Sequence, residues 1–421
     1  MKFGQEIQQN LLRKLMIINK RVYLEYSILI FFISASGVPY ISDPKINVLL
    51  FLMLSSIFYI RKMYWNKSFL LFTTILFLIT LLQVLKFNFL STVTILGLFT
   101  MVFNGYFIVK ILDKNFISYY INILYYMALI SFVFFFPILF LPSLGSFLVH
   151  SIVPLFSIFN IAHSVHETVL IYTLSHVELF RNSGPFWEPG AFAGYLLIAF
   201  MLNSMKEVNI LNKKNKVFLI AIVTTFSTTT FLALFIFLFL FYYKQVKNVV
   251  FKIAVVVGLL SIAFVAYTSL DFLGKKIEKQ IAQETSKDVL SGKNTTNTGR
   301  FITIIRDMRD LDGHEWVGRG GNETTRFDVS TSGKRMLRSV GLTDVIVKYG
   351  VLFFIIIVYF LYKSICAYIY IESIDKKSSL VCVAIFISVL ILTISETYFN
   401  YSMYWSLLFL RYAYVEKEKR G

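Results

Sequence analysis

Apolar runs of membrane-crossing length recur from one end of this 421-residue chain to the other, and no other property limits its fold as strongly. They occupy residues 23–41, 46–60, 68–85, 89–109, 119–142, 189–205, 217–243, 249–270, 342–362, 379–395 and 399–413. Backbone polar groups in hydrocarbon must be satisfied within the chain itself, so spans of this kind fold as helices. Residue usage agrees: 57% hydrophobic and 15% charged, against roughly 45–50% and about 25% in soluble proteins. The expected class is an all-α polytopic membrane protein, with residues 1–421 forming a single integral membrane domain.

Charge sets the orientation. The net charge of +17 would suggest nucleic acid in a soluble protein. Here the basic residues gather in short loops and at the termini, where they fix topology and meet anionic lipid, so no nucleic-acid partner is expected. Arg61, Lys62 and Lys67 follow the second run, Lys110 and Lys114 the fourth, and Lys206, Lys213, Lys214 and Lys216 the sixth. All are cytoplasmic if the basic N-terminus is inside. The run 217–243 is the difficult one. A single crossing would put Lys244, Lys247 and Lys252 outside, whereas two short crossings turning near Ser227–Thr230 keep them inside. The second choice gives about twelve crossings with both termini cytoplasmic. The first run lacks a small-residue cleavage pattern and reads as a retained anchor. Cys366 and Cys382 fall near cytoplasmic ends of spans, which excludes a disulfide framework.

Two long loops, 143–188 and 271–341, then face away from the cytoplasm. In the first, Phe147–Ile161 and Val165–Phe180 read as short interfacial helices. His163, His166, Glu167 and His176 would share one of them, as interface-seated residues, a base or a sugar contact; the spacing matches no zinc signature and no metal is expected. In the second loop, Phe301, Ile304, Ile305, Met308 and Leu311 give an amphipathic helix whose Arg300, Arg306, Asp307, Arg309 and Asp310 read as a solvated face. Gly313-His314-Glu315-Trp316-Val317-Gly318-Arg319-Gly320-Gly321 follows as a turn whose amides can approach a ligand.

The stretch Arg181–Tyr195 (RNSGPFWEPGAFAGY) concentrates the chemistry. Pro185 and Pro189 fix the backbone around Glu188, and Pro189 suits the first turn of a helix. Glu188 is thereby held at a helix N-terminus. It is either a cap, with Trp187 as an interfacial anchor, or a base that orients an acceptor hydroxyl. Arg181 supplies the planar fork of donors suited to phosphate oxygens. Glu396 is a further carboxyl at the outer end of a span, where an ionisable group is costly.

These residues resemble the bacterial O-antigen polymerase family, within the O-antigen ligase and polymerase superfamily. The likeness rests on R-x-x-G-x-F-x-E-P-x-x-x-A (Arg181, Gly184, Phe186, Glu188, Pro189, Ala193) and on Gly299-Arg300 with the Gly318-x-Gly320 turn. It also rests on Gly341–Gly350, leading back into the bilayer. The ligase branch has a histidine in the re-entry segment; here Arg335–Gly341 has none, which points to polymerase. The resemblance implies a GT-C-like membrane fold and a metal-independent glycosyltransferase of the bacterial inner membrane with no cofactor. A growing glycan on undecaprenyl diphosphate is passed to a lipid-linked repeat unit on the periplasmic side. The bilayer and a chain-length regulator protein are its other expected partners. Arg181, Arg300 and Arg319 become candidates for the diphosphate, Glu188 and His314 for proton transfer, and Trp187, His176 and Trp316 for sugar contacts. A ligase or related lipid-linked glycosyltransferase is the alternative. A lipid-linked oligosaccharide flippase would instead place ionisable residues along a central cavity.

Overall fold

The computed structural model describes residues 20–88, 91–152, 166–169, 171–175, 180–207, 209–245, 300–326, 339–373 and 378–414. The chain is mostly helical. Helix α1 covers 20–35, followed by α2 (Pro44–Ile60), α3 (Lys67–Phe87), α4 (Thr92–Leu112) and α5 (Asn115–Phe140). A short α6 (Pro142–Phe147) runs into a π turn and then a hairpin of β1 (His166–Val169) and β2 (Tyr172–Ser175). Next come α7 (Pro189–Lys206), α8 (Lys213–Thr224), α9 (Thr228–Gln245) and α10 (Arg300–Leu311). The chain closes with α11 (Gly341–Glu372), α12 (Ser379–Ser395), α13 (Ser402–Phe409) and α14 (Arg411–Tyr414).

Among the described residues, α3, α4, α5 and α11 are long and apolar enough to cross a membrane. A 21-residue helix spans about 31 Å at ~1.5 Å per residue, the thickness of a hydrocarbon core. Their outward faces are apolar too. Leu71, Leu78 and Leu85 on α3, seven residues apart and therefore on one side, are all more than half exposed. Such a stripe is unfavourable in water and at no cost against lipid.

Polar contacts sort the helix ends into two groups. The Arg61 guanidinium donates to the Ile111 carbonyl, Lys206 reaches Ser118, Lys214 reaches Asn122, and Ser68 meets Tyr412. These contacts collect the basic turns at one end of the bundle. Asn182 bonds Thr224, Tyr398 bonds Gly190, and Ser402 bonds Asn47 at the other end, where the Arg181–Pro189 stretch lies. The run 217–243 is two helices. The chain breaks at Thr225–Ser227 with Phe226 at φ 47°, beside Arg181 and Asn182. Helix α9 then runs back along α7, bringing Phe237 to within 5.9 Å of Phe200. The second expected run shift is smaller: 89–109 appears as Thr92–Leu112 and 119–142 as Asn115–Phe140. The run 249–270 lies outside the described residues.

Helix α7 is the spine. Every residue from Pro189 to Met205 is buried, as expected of a helix apolar all round that other helices enclose. Its carbonyls also receive side chains from three neighbours. Tyr120 donates to Tyr195, Tyr368 to Leu202, and Tyr398 to Gly190. A buried tyrosine hydroxyl requires a partner, and α7 supplies it.

Helix α11 contains the most informative break. Gly350 has φ 77° and ψ 166°, which interrupts the helical ladder. The groups it orphans are satisfied by the loop Glu315–Gly320. Arg319 N–H donates to the Val347 carbonyl at 2.7 Å, Gly320 N–H to Lys348 at 3.0 Å, and Val351 N–H to Glu315 at 2.7 Å. Gln83 of α3 closes the arrangement, its amide donating to the carbonyls of Val317 (2.6 Å) and Lys348 (2.8 Å). Buried backbone groups need partners, so this loop is a fixed strap across the break.

The strap predicts a steric test. A Cβ on Gly350 would lie 2.2 Å from the Trp316 carbonyl oxygen, whereas one on Gly313, also at positive φ, meets nothing. Gly313→Ala carries backbone strain alone, about 1 kcal/mol. Gly350→Ala adds the clash and costs about 3 kcal/mol. Thermal unfolding of the two detergent-solubilised variants should show a clearly larger loss for Gly350→Ala; equal losses would remove the strap from the account.

Candidate functional site

The site forms where α7 begins. Glu188 is the residue before Pro189, with an extended backbone (φ −159°, ψ 163°), as a residue preceding proline must be. Its side chain makes no cap hydrogen bond to α7. It meets Glu396, which follows the last residue of α12, and the two carboxyls are hydrogen-bonded. Glu188 therefore occupies the N-cap position of α7 through its backbone, while its side chain is turned to Glu396 and not to the helix amides.

Two further residues, Trp187 and Arg300, complete the cluster. Trp187 lies beside Glu396, and its ring stacks on Tyr401 at 4.5 Å. Arg300, at the start of α10, acts electrostatically on Glu396 and has Nη2 3.5 Å from the Ser395 carbonyl oxygen. Close packing is enforced by small residues, since a Cβ on Gly190 would stand 2.6 Å from a Glu396 oxygen. Burial raises the Glu396 carboxyl well above the ordinary glutamate range, and the Glu188 charge raises it further, while Arg300 and Trp187 oppose both. The result is a carboxylic acid held protonated beside a second carboxyl group. This is the arrangement by which two like groups divide acid and base roles.

Of the expected site residues, Glu188, Trp187 and Arg300 converge; Glu396 joins them. Its one sequence signal is an acidic residue at the end of an apolar run. Arg181 lies at the same end of the bundle, its Nε donating to the Thr225 carbonyl at 2.9 Å. The remaining candidates are placed elsewhere. Arg319 binds the carbonyls of Asp310 and Thr325 and ties the strap together. His314 stacks on Phe87 with ring centroids 5.2 Å apart and bonds the Asp312 carbonyl through Nδ1. Partial burial lowers its pKa from the ordinary histidine value. Trp316 is 65% exposed on the strap, and His176 lies outside the described residues.

Three local expectations are corrected. His166 and Glu167 are in β1 of a hairpin, paired with Ser175 and Leu174, and not on a helix with His163 and His176. The β-branched Thr168, Val169 and Thr173 prefer a pleated surface, and Thr173 N–H donates to Gly184 at 2.7 Å. Val165–Phe180 is therefore no interfacial helix over its described residues. The amides of Gly318, Arg319 and Gly320 serve His314, Val347 and Lys348, leaving no ligand cradle there.

The charged face of α10 is the third. Arg306, Asp307 and Asp310 are buried, while Met308 is 44% exposed, the reverse of a solvated polar face. Arg326 stands 3.8 Å from Asp307, 3.5 Å from Asp310 and 2.7 Å from Asp344, and Lys348 stands 2.6 Å from Asp344. Thr343 donates to Asp307 at 2.5 Å. Charges removed from water persist only when paired, so this network clamps α10 to the start of α11 and thereby positions Arg300.

Compared with known protein families, curated proteins and solved structures, the chain matches none.

A pH experiment follows from the protonated carboxyl. The folded chain retains the Glu396 proton above the pH at which an unfolded chain releases it. The associated stability is complete below the ordinary glutamate pKa and is lost as pH rises through the raised one. Thermal stability should therefore decline as pH rises from the ordinary glutamate range through the raised pKa of Glu396. Glu396→Gln, permanently neutral, should flatten that profile. A Glu396→Gln profile as steep as wild type would assign the dependence to another group.

Proposed function

We propose that this chain is a multi-pass glycosyltransferase of the bacterial inner membrane, of the O-antigen polymerase type. It passes a growing undecaprenyl-diphosphate-linked glycan to a lipid-linked repeat unit. The observation that carries the reading is the convergence of Arg300, Glu188 and Glu396 from three separate segments at one end of a lipid-facing bundle.

The chemistry requires few groups. An acceptor sugar hydroxyl attacks the anomeric carbon of the donor, forming the new C–O bond while the bond to the diphosphate oxygen breaks. The electron pair leaves with the diphosphate, already stable as an anion, so the chief requirement is positive charge in fixed position. Arg300 supplies it, and Arg181, at the same bundle end, is the second candidate. The hydroxyl proton passes to Glu188, which Glu396 holds in place by donating its own proton in a hydrogen bond. Trp187 and Tyr401 form the aromatic wall beside the pair. Helix α7 carries no ionisable group of its own before Lys206 except Tyr195, whose hydroxyl is bonded to Ser36. That favours chemistry at the end of the bundle over a transport path through its centre.

In this reading the paired helices α8 and α9 are two crossings, the total is about twelve within a GT-C-like plan, and the basic turns are cytoplasmic. Two experiments examine it. Arg300→Ala should lower polymerisation roughly 100-fold or more, the effect of removing one preorganised charge-stabilising group. Repeat units would remain singly on the lipid carrier, and wild-type chain lengths at equal expression would end the assignment. In a chain with Cys366 and Cys382 replaced by serine, Trp316→Cys should react with a membrane-impermeant thiol reagent in intact cells and Asn209→Cys should not. The opposite pattern would invert the topology and with it the periplasmic site.

A further inference from the structure

A cavity of about 360 Å³ lies between α2, α3, α4 and the strap. It contains none of the four residues of the carboxyl cluster, but Tyr401, which stacks on Trp187, is part of its wall. The carboxyl pair and the cavity are thus on two sides of one aromatic partition. The lining is of mixed chemistry. Asn47, Gln83, Asn322 and Asn400 bring side-chain amides, and Tyr349 and Tyr401 bring aromatic surface. Serine and threonine hydroxyls from α3 and α4 lie among them, with aliphatic side chains between. The basic groups are Arg319 and Lys348, and among the described residues no aspartate or glutamate lines it.

We infer that this cavity is a glycan subsite, taking the terminal sugars of the acceptor repeat unit, for neutral or acidic rings that carry no free amine. The inference rests on the transferase reading and specifies where its acceptor is held. Amides and hydroxyls placed around apolar and aromatic surface match a pyranose, which presents hydroxyls at its rim and C–H bonds on its faces. Protein groups already bond the side-chain oxygens of Asn47, Asn322 and Asn400 and the Gln83 Nε2, so the opposite ends of these amides are what a sugar hydroxyl would meet and a lipid tail would not. Lys348 is paired with Asp344, whereas Arg319 bonds the neutral carbonyls of Asp310 and Thr325, and its charge disfavours an ammonium group and admits a uronic or similar acid. The volume lies at the lower end of small-ligand sites and suits one or two rings.

The cavity wall contains a position suited to the test. Gly97 faces it from α4, and a Cβ there meets nothing within 4 Å. Gly97→Phe therefore starts a ring toward the cavity from a Cβ that meets nothing, and Gly97→Ala is the control. The probe is the lipid-free repeat-unit oligosaccharide released by mild acid from the host's lipid-linked pool. Its binding to the protein in lipid nanodiscs is followed by saturation-transfer NMR. Wild type, Gly97→Ala and Glu188→Gln should bind, and Gly97→Phe should lose at least tenfold in affinity while retaining wild-type thermal stability. Binding to Gly97→Phe equal to wild type, or no binding to wild type, would overturn the subsite. Neither result touches the transferase reading, which stands or falls on the chain length made by Arg300→Ala. De-N-acetylating the probe to expose an amine should weaken binding; tighter binding would reverse the assigned charge preference.

Discussion

A buried carboxyl, Glu396, faces the half-buried Glu188 beside a guanidinium, burial disfavours its charge, and the surrounding helices are arranged to hold that contact. Glu188 is fixed by the proline that follows it, Glu396 by its position at the end of α12, and Arg300 by its place at the start of α10. Holding them together requires that α7, α10 and α12 keep their relative positions. Burial of α7 on all sides and the tyrosine hydroxyls bonded to its carbonyls account for the first of these. The packing of α12 along α9, including the Ser388 hydroxyl on the Ala233 carbonyl, accounts for another.

Helix α10 depends on a different mechanism. Its aspartates are inward and meet Arg326, Thr343 and, through Asp344, Lys348. Removing one partner from such a network leaves a buried charge exposed to no solvent, a loss of about 3–5 kcal/mol. The ionic clamp and the backbone strap at Gly350 flank the same nine-residue opening of α11. A broken helix near a functional centre is tolerated because the freed carbonyls find amides on a neighbouring loop. The same loop walls the cavity that borders the carboxyl pair.

Much of this could be read in advance where the signal was local. Proline at 185 and 189 predicts an extended Glu188 at the head of a helix, and the structure has it. The basic turns gather at one bundle end, as their spacing implied, and the long run 217–243 divides where its serine and threonine cluster lies. Periodicity was less reliable wherever two patterns overlapped. His163, His166 and Glu167 have helical spacing, yet the β-branched residues after them form a hairpin. The arginine and aspartate face of α10 has the composition of a solvated surface, and nothing local distinguishes a face that meets water from one that meets Arg326.

The sequence by itself determined that the chain is helical and membrane-embedded in character, that the run 217–243 breaks near its serine and threonine cluster, and that Glu188 stands extended at the head of a helix. Those follow from hydropathy, charge and proline, which act over a few neighbouring residues. Only the tertiary structure decided that Glu188 pairs with Glu396, 208 positions away, that Arg300 stands over them, and that the glycine-rich strap serves a broken helix. Burial, hydrogen bonding and charge pairing between distant segments depend on three-dimensional proximity, which no local pattern records.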